Sequence, residues 1–397
     1  MGRADHWRCY GCCRLEARLH DGLSGEMSSH GIRGNCCSPS LPSKLQSTAL
    51  LKTSLAVTLF VFLAFVPFAQ TPSGEPELFL TKHLGFTASE LNQLEKGQII
   101  VRVPKTHETR EVAVSAVARV DVPAQFFEAS VRDIVEFKKS DNVLQIGKFS
   151  SPPRLDDLKH LAMEPGDIDA IRRCRINNCG LKLPASFIER FRTEIDWSAP
   201  DYRDRVSTMF RQILLSQVLE YLRVGDAALG QYDDKPYPLR RADELRLLLE
   251  PAPYVYDPVP SFQNYLKEFP NSSLAVEDIV YWSKEKFGAK AVISVTHLMI
   301  YRHDRPGGNY LRIASKGIYA SHYIEATLGL TTFVQQTTPG GSRSYLIYLN
   351  RSRADALRGL LAALKRSLII GSVRDGAKKN MQLLKERLER QYRAANN

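Results

Sequence analysis

A chain of 397 residues with 44% hydrophobic and 24% charged side chains can bury one large or two ordinary cores, and is neither a disordered polymer nor a multi-spanning membrane protein. Its formal charge of +11 is unevenly placed: residues 353–393 hold eleven basic and four acidic side chains. The excess therefore belongs mainly to one C-terminal segment and does not describe a chain-wide nucleic-acid surface. Residues 1–52 carry five of the seven cysteines (Cys9, Cys12, Cys13, Cys36, Cys37) without periodic apolar spacing, and are expected to be disordered. Cys9, Cys12 and Cys13 with His6 and His20 lack a second ligand pair at chelating distance in sequence, so no metal is assigned there. Thr53–Ala69 is uncharged, follows Lys44 and Lys52, and ends before a polar Gln70-Thr71-Pro72-Ser73-Gly74 turn. It reads as the apolar core of a signal peptide cut after Ala69, or left uncleaved as an N-terminal anchor. The mature protein is expected to be exported, periplasmic or envelope-associated.

Residues 70–154 read as the start of an α+β domain. Ser89–Gly97 is a short helix capped by Thr87 or Ser89, and the β-branched runs Ile99–Val103 and Glu111–Val122 flank a polar turn as a hairpin would. Pro123 opens a helix to about Lys139 with Phe126, Phe127, Val131, Ile134, Val135 and Phe137 on its apolar side, and Val143–Phe149 is a short strand. Helical spacing takes over in residues 155–287, through Pro184–Thr193, Asp201–Val224, Arg241–Leu249, Ser261–Glu268 and Ala275–Phe287. Inside this region Cys174-Arg-Ile-Asn-Asn-Cys179 has a turn that brings two sulfurs together, and an oxidising compartment would join them. Gly180 stands where haem attachment would require a histidine.

In residues 288–397 strands return. Ala291–Arg302, Tyr310–Ala314, Ile318–Gln336 and Ser344–Asn350 are rich in Ile, Val, Tyr and Thr, and Gly-containing turns between them imply antiparallel pairing. Pro339-Gly340-Gly341-Ser342, with no helix after it, is a hairpin turn and not a phosphate cradle. A long helix follows with Leu357, Leu361, Leu364, Leu368, Ala377, Met381, Leu384 and Leu388 on one side, and Gly371 and Gly376 are the places for it to bend. Its basic residues suit solvent or, second, an anionic membrane surface; nucleic acid is not an expected partner.

The order of Glu111–Val122, the helix Phe126–Phe137, the strands of residues 291–350 and the helix from Ser352 resembles the START-related, Bet v 1-like helix-grip superfamily. The resemblance implies an α+β fold in which an antiparallel sheet wraps a long C-terminal helix and encloses a cavity for a lipid or other hydrophobic molecule. Residues 155–287 would then be a large helical insertion. It carries over no catalytic residue.

Hydrolase elbows, zinc-protease signatures, phosphate loops and dinucleotide fingerprints are absent, so no catalytic residue, metal or cofactor is assigned. The densest polar and aromatic group is His297, Tyr301, His303, Lys316, Tyr319, His322, Tyr323 and Glu325. On a period of two His297 shares a face with Ile293, Val295, Met299 and Tyr301, and Tyr319 shares one with Tyr323. His297, Met299, Tyr301, Tyr319, His322 and Tyr323 are thus the ligand-binding candidates, against the plainer reading of a filled core with satisfied polar groups. The expected function is binding of a hydrophobic or lipid-like ligand; the alternatives are an acid–base hydrolase with His297 or His322 beside Tyr319 or Glu325, and a structural envelope protein.

Overall fold

Capping and alternation set the first elements in a computed structural model that describes residues 80–396, apart from 83, 107, 251–258, 306–307, 339–340 and 360–361. These residues belong to the second of two units into which the chain divides, residues 69–397. The expected signal segment and the N-terminal cysteines lie outside the described residues.

Helix α1 (Ala88–Glu95) begins at a capping box, with Thr87 accepting from the Glu90 amide and the Glu90 carboxylate accepting from the Thr87 amide. Strands β1 (Ile100–Arg102) and β2 (Glu111–Val120) form the expected antiparallel pair. The following helix is split in two, α2 (Ala124–Arg132) and α3 (Ile134–Lys138), because Asp133 leaves helical geometry and its side chain caps the second piece at the Glu136 amide. Pro123 supplies no cap of its own, and Gln335 accepts from the Ala124 amide instead. Strand β3 (Val143–Lys148) follows.

The helical segment contains α4 (Pro165–Arg173), unexpected from the sequence, then α5 (Ala185–Glu194), α6 (Tyr202–Val224), the small strands β4 (Gln231–Tyr232) and β5 (Leu239–Arg240), α7 (Arg241–Leu249) and α8 (Pro260–Glu268). Cys174 and Cys179 are joined by a disulfide just after α4. The expected helix Ala275–Phe287 is instead strand β6 (Glu277–Phe287), so the helical segment ends earlier than residue 287. Its apolar run Ile279–Trp282 lacks alternation because both faces of that strand are covered.

Strands β7 (Lys290–Arg305), β8 (Gly308–Ala320), β9 (Ile324–Thr338) and β10 (Gly341–Ala354) complete one antiparallel sheet of order β1-β2-β10-β9-β8-β7-β6-β3. The expected break near Gly317 does not occur. Gly317 lies within β8 because Thr327 of the next strand leaves no space for a side chain there, and the turn falls at Ser321–Tyr323. Helix α9 (Ala362–Asn396) is continuous through Gly371 and Gly376.

The two sheet faces have different covers. Val206, Phe210, Ile213, Leu214 and Val218 of α6 pack on one face against Trp282, Val295, Met299, Tyr319 and Leu328. On the other face, Phe127 and Val131 of α2, Ile134 of α3, and Met381 and Leu388 of α9 pack on Leu298, Ile300, Leu311, Ile313, Phe333 and Leu346. The architecture is α+β, with an eight-stranded antiparallel sheet, a long C-terminal helix on one face and a helical insertion on the other.

Candidate functional site

The sheet face under α9 changes character along its strands. Register across the sheet places Ile300, Ile313, Thr331 and Tyr348 in one transverse row, Leu298, Ser315, Gly329 and Asn350 in the next, and Tyr281, Thr296 and Gly317 in a third, continued by the paired Thr327 and Ser352. The rows change from aliphatic to small and polar along the strands. Thr296, Ser315, Gly317, Thr327, Thr331, Tyr348, Asn350 and Ser352 are only half-buried, although β7 to β10 are central strands. These residues share the sheet face over which α9 runs, and the opposite face of β6 to β9 packs on the helical insertion.

The helix above has the complementary character. Ile369, Ile370, Val373 and Ala377 are half-buried and continue the stripe that becomes fully buried at Met381 and Leu388. Leu364 and Leu368, expected on the inward side, are instead 62% and 68% exposed, because the helix presents Arg366, Ile370 and Val373 inward over that stretch. Arg366 anchors this end on the Thr109 and Glu111 carbonyls, and Arg387 anchors the far end on the Phe137 and Lys139 carbonyls. The helix thus bridges the cleft between two fixed ends.

At one side of the cleft Lys138 of α3 meets Glu285 of β6 at 2.7 Å, and Ser283 donates to the same carboxylate at 2.7 Å. The ammonium also lies 5.4 Å from the centre of the Tyr281 ring. Burial pulls the Lys138 ammonium down, but Tyr281 and Glu285 hold its pKa above the ordinary lysine value. Burial raises the Glu285 carboxyl while Lys138 and Ser283 more than offset it, so the group is held below its ordinary value. Burial likewise pushes the Tyr348 phenol up, keeping it protonated. Yet Lys138 and Glu285 keep 28% and 32% of their side-chain surface exposed. Tyr348 of β10 is partly buried on the same face. Further hydroxyl contacts line it: Thr327 and Ser352 at 2.9 Å, and Ser352 donating to Asn350 at 2.7 Å.

The candidates named from the sequence lie elsewhere. His297, Met299, Tyr301 and Tyr319 are on the sheet face covered by the insertion, and His297, Met299 and Tyr319 are buried there. His297 Nδ1 is 2.9 Å from the Tyr221 hydroxyl and Nε2 is 2.9 Å from Asp278, which also accepts from Tyr265 at 2.6 Å. Burial lowers the His297 pKa against the opposing pull of Asp278, and the two contacts suit the neutral ring. Beside it Lys316, its cross-strand neighbour, pairs with Asp226 at 2.7 Å and donates to the Leu266 carbonyl at 2.9 Å. Tyr301 stacks on Phe262.

His322 and Tyr323 sit in the β8–β9 turn, apart from this group. His322 is 3.1 Å from Asp167, and Tyr323, at φ 58°, does not share a strand face with Tyr319. Glu325 pairs with Arg110 and Arg358, not with a histidine. Both histidines therefore meet a carboxylate, and both imidazole rings are buried. Sequence reasoning missed Lys138, Tyr281, Glu285 and Tyr348; the readable signal was the period-two series Ser294/Thr296, Ser315/Gly317, Thr327/Gly329/Thr331 and Asn350/Ser352.

Among the described residues no group of histidine, cysteine and acidic side chains is placed to hold a metal ion, and no helix is long and apolar enough to cross a membrane. No family model matches the chain, and no curated protein matches it.

Proposed function

We propose that this is an exported binding protein, periplasmic or envelope-associated, that holds a hydrophobic or lipid-like molecule in the cleft between α9 and the sheet. The observation that carries the reading is the half-exposed row of central-strand residues beneath a half-exposed apolar stripe of α9, with Lys138 and Glu285 recessed beside it. A sheet whose central strands are accessible on one face among the described residues suits a concave binding surface. Kinship with the START-related, Bet v 1-like superfamily is supported by the strand order β2-β10-β9-β8-β7-β6-β3, with two helices between β2 and β3 and the long helix last. Export is supported by the Cys174–Cys179 disulfide, a bond favoured in oxidising compartments.

The test is binding of the environment-sensitive probe 1-N-phenylnaphthylamine to the full-length chain. Ser315→Trp places an indole on the α9 face, beside Gly329, which has no side chain. Probe fluorescence is expected to be lost in this variant while the circular dichroism spectrum stays unchanged. Undiminished probe binding by a folded Ser315→Trp variant would remove the cleft as the binding site.

A further inference from the structure

We infer that the polar end of the cleft receives an uncharged, hydroxyl- or carbonyl-bearing headgroup, so that the ligand is a neutral amphiphile of the monoacylglycerol or alkyl-glycoside kind and not a fatty-acid or phosphate-ester anion. The inference rests on the cleft reading above and specifies its ligand class.

The floor rows Leu298–Ser315–Gly329–Asn350 and Thr296–Gly317 with Thr327 and Ser352 contain no charged residue. The ions recessed beside them, Lys138 and Glu285, face each other at 2.7 Å and neutralise one another. At the near end of the roof, Arg366 donates to the Thr109 and Glu111 carbonyls and to Thr106. An ionised headgroup entering here would lose its hydration and meet the Glu285 carboxylate, while Lys138 and Arg366 are already engaged. A neutral hydroxyl meets no such obstacle. Ser, Thr, Tyr and Asn side chains each donate and accept, which matches the dual character of alcohols and the acceptor character of esters. The roof residues Ile369, Ile370, Val373 and Ala377 suit the attached chain.

The experiment compares four ligands with the same dodecyl chain on the full-length protein by displacement of phenylnaphthylamine at neutral pH: monododecanoylglycerol, dodecyl glucoside, dodecanoate and dodecyl phosphate. The two neutral ligands are expected to bind at least about tenfold tighter than the two anions. Glu285→Gln frees the Lys138 charge while keeping the side-chain shape, and should raise dodecanoate affinity relative to that of monododecanoylglycerol about tenfold. Dodecanoate or dodecyl phosphate binding the unaltered protein as tightly as the neutral ligands would overturn the neutral headgroup and leave the cleft intact. Failure of all four ligands and of the probe to bind would instead remove the cleft reading itself. Should Glu285→Gln not fold, the comparison on the unaltered protein decides alone.

Discussion

The link between the helical insertion and the sheet should be measurable at one buried hydrogen bond, Tyr221 to His297. His297 is fully buried, its Nδ1 accepts from the Tyr221 hydroxyl at 2.9 Å, and its Nε2–H donates to Asp278 at 2.9 Å in the neutral form that the two partners require. His297→Phe leaves the buried Tyr221 hydroxyl without its acceptor, which costs about 1–3 kcal/mol, whereas Asp278 keeps its bond from Tyr265 and is 32% exposed to water. Tyr221→Phe alone should cost about 1–2 kcal/mol, since it strands Nδ1 instead. The double variant removes both ends together, so its loss should fall short of the sum by about 1 kcal/mol in urea unfolding at pH 7.5. Burial lowers the folded-state pKa of His297 below its unfolded value, so the unfolded chain binds the extra proton. The His297 contribution is therefore complete above about pH 6.5, the unfolded value, and is lost as pH falls from there toward the folded pKa. Asp278, Asp226, Lys316, Tyr221 and Tyr265 all face the ring, and their charges are common to the unaltered protein and to His297→Phe. The difference in stability between those two proteins should consequently shrink on acidification from pH 7.5 to 5.5. Additive single losses, or a difference independent of pH, would refute the assignment of a neutral, doubly bonded histidine.

The disulfide closes a short loop, with a sequence separation of 5 between Cys174 and Cys179, so replacing both by serine should lower stability by about 2 kcal/mol from loop entropy; unchanged urea midpoints would contradict this. Gly225 has φ 66°, and a Cβ there would collide with the Phe269 carbonyl, whose own ring packs on Tyr221 and His297. Gly225→Ala should therefore cost about 2–4 kcal/mol, read from the thermal midpoint, and a near-neutral result would show that the α6 terminus moves freely. The exposed Leu364 and Leu368 stand beside Lys365 on α9, and we expect the double change to Gln to weaken sedimentation with anionic vesicles about fivefold or more while leaving stability within about 0.5 kcal/mol. Equal sedimentation would remove membrane contact by this part of the helix.

Most of the element order was legible in the sequence because capping, β-branched runs and helical spacing act locally. The exceptions have physical causes. In β6, Ile279 and Tyr281 meet one core while Val280 and Trp282 meet the other, so the strand shows a continuous apolar run and not an alternation. The expected strand Ile318–Gln336 spans a turn that its sequence does not mark, because that turn uses Ser321, His322 and a left-handed Tyr323 without glycine or proline, while Gly317 within β8 clears space for Thr327. His297, Tyr301 and Tyr319 lie on strands as expected whereas His322 and Tyr323 fall in the β8–β9 turn, and one chain cannot tell which sheet face receives a helical cover. The Lys138–Glu285 pair spans 147 positions and exists only through the placement of α3 over β6. No local pattern announces such a pair.

The two faces of the sheet consequently have separable roles, and this can be checked within one set of variants. The insertion is fastened by groups buried from the sheet side: His297 to Tyr221, Lys316 to Asp226, and Arg351 donating to the Leu248 carbonyl of α7. Breaking these contacts affects how firmly the insertion covers its face, and leaves the opposite face with the same floor residues. Changes at Lys138, Glu285 or Ser315 act on partly exposed positions and alter the cleft with little effect on either core. His297→Phe should thus lower the unfolding midpoint yet keep phenylnaphthylamine affinity within about twofold below that midpoint, because side chains pointing to opposite sheet faces share no contact. Ser315→Trp should show the reverse. If His297→Phe abolished probe binding in the folded protein, the ligand would have to lie under the insertion, and the grip face would lose its claim to the site.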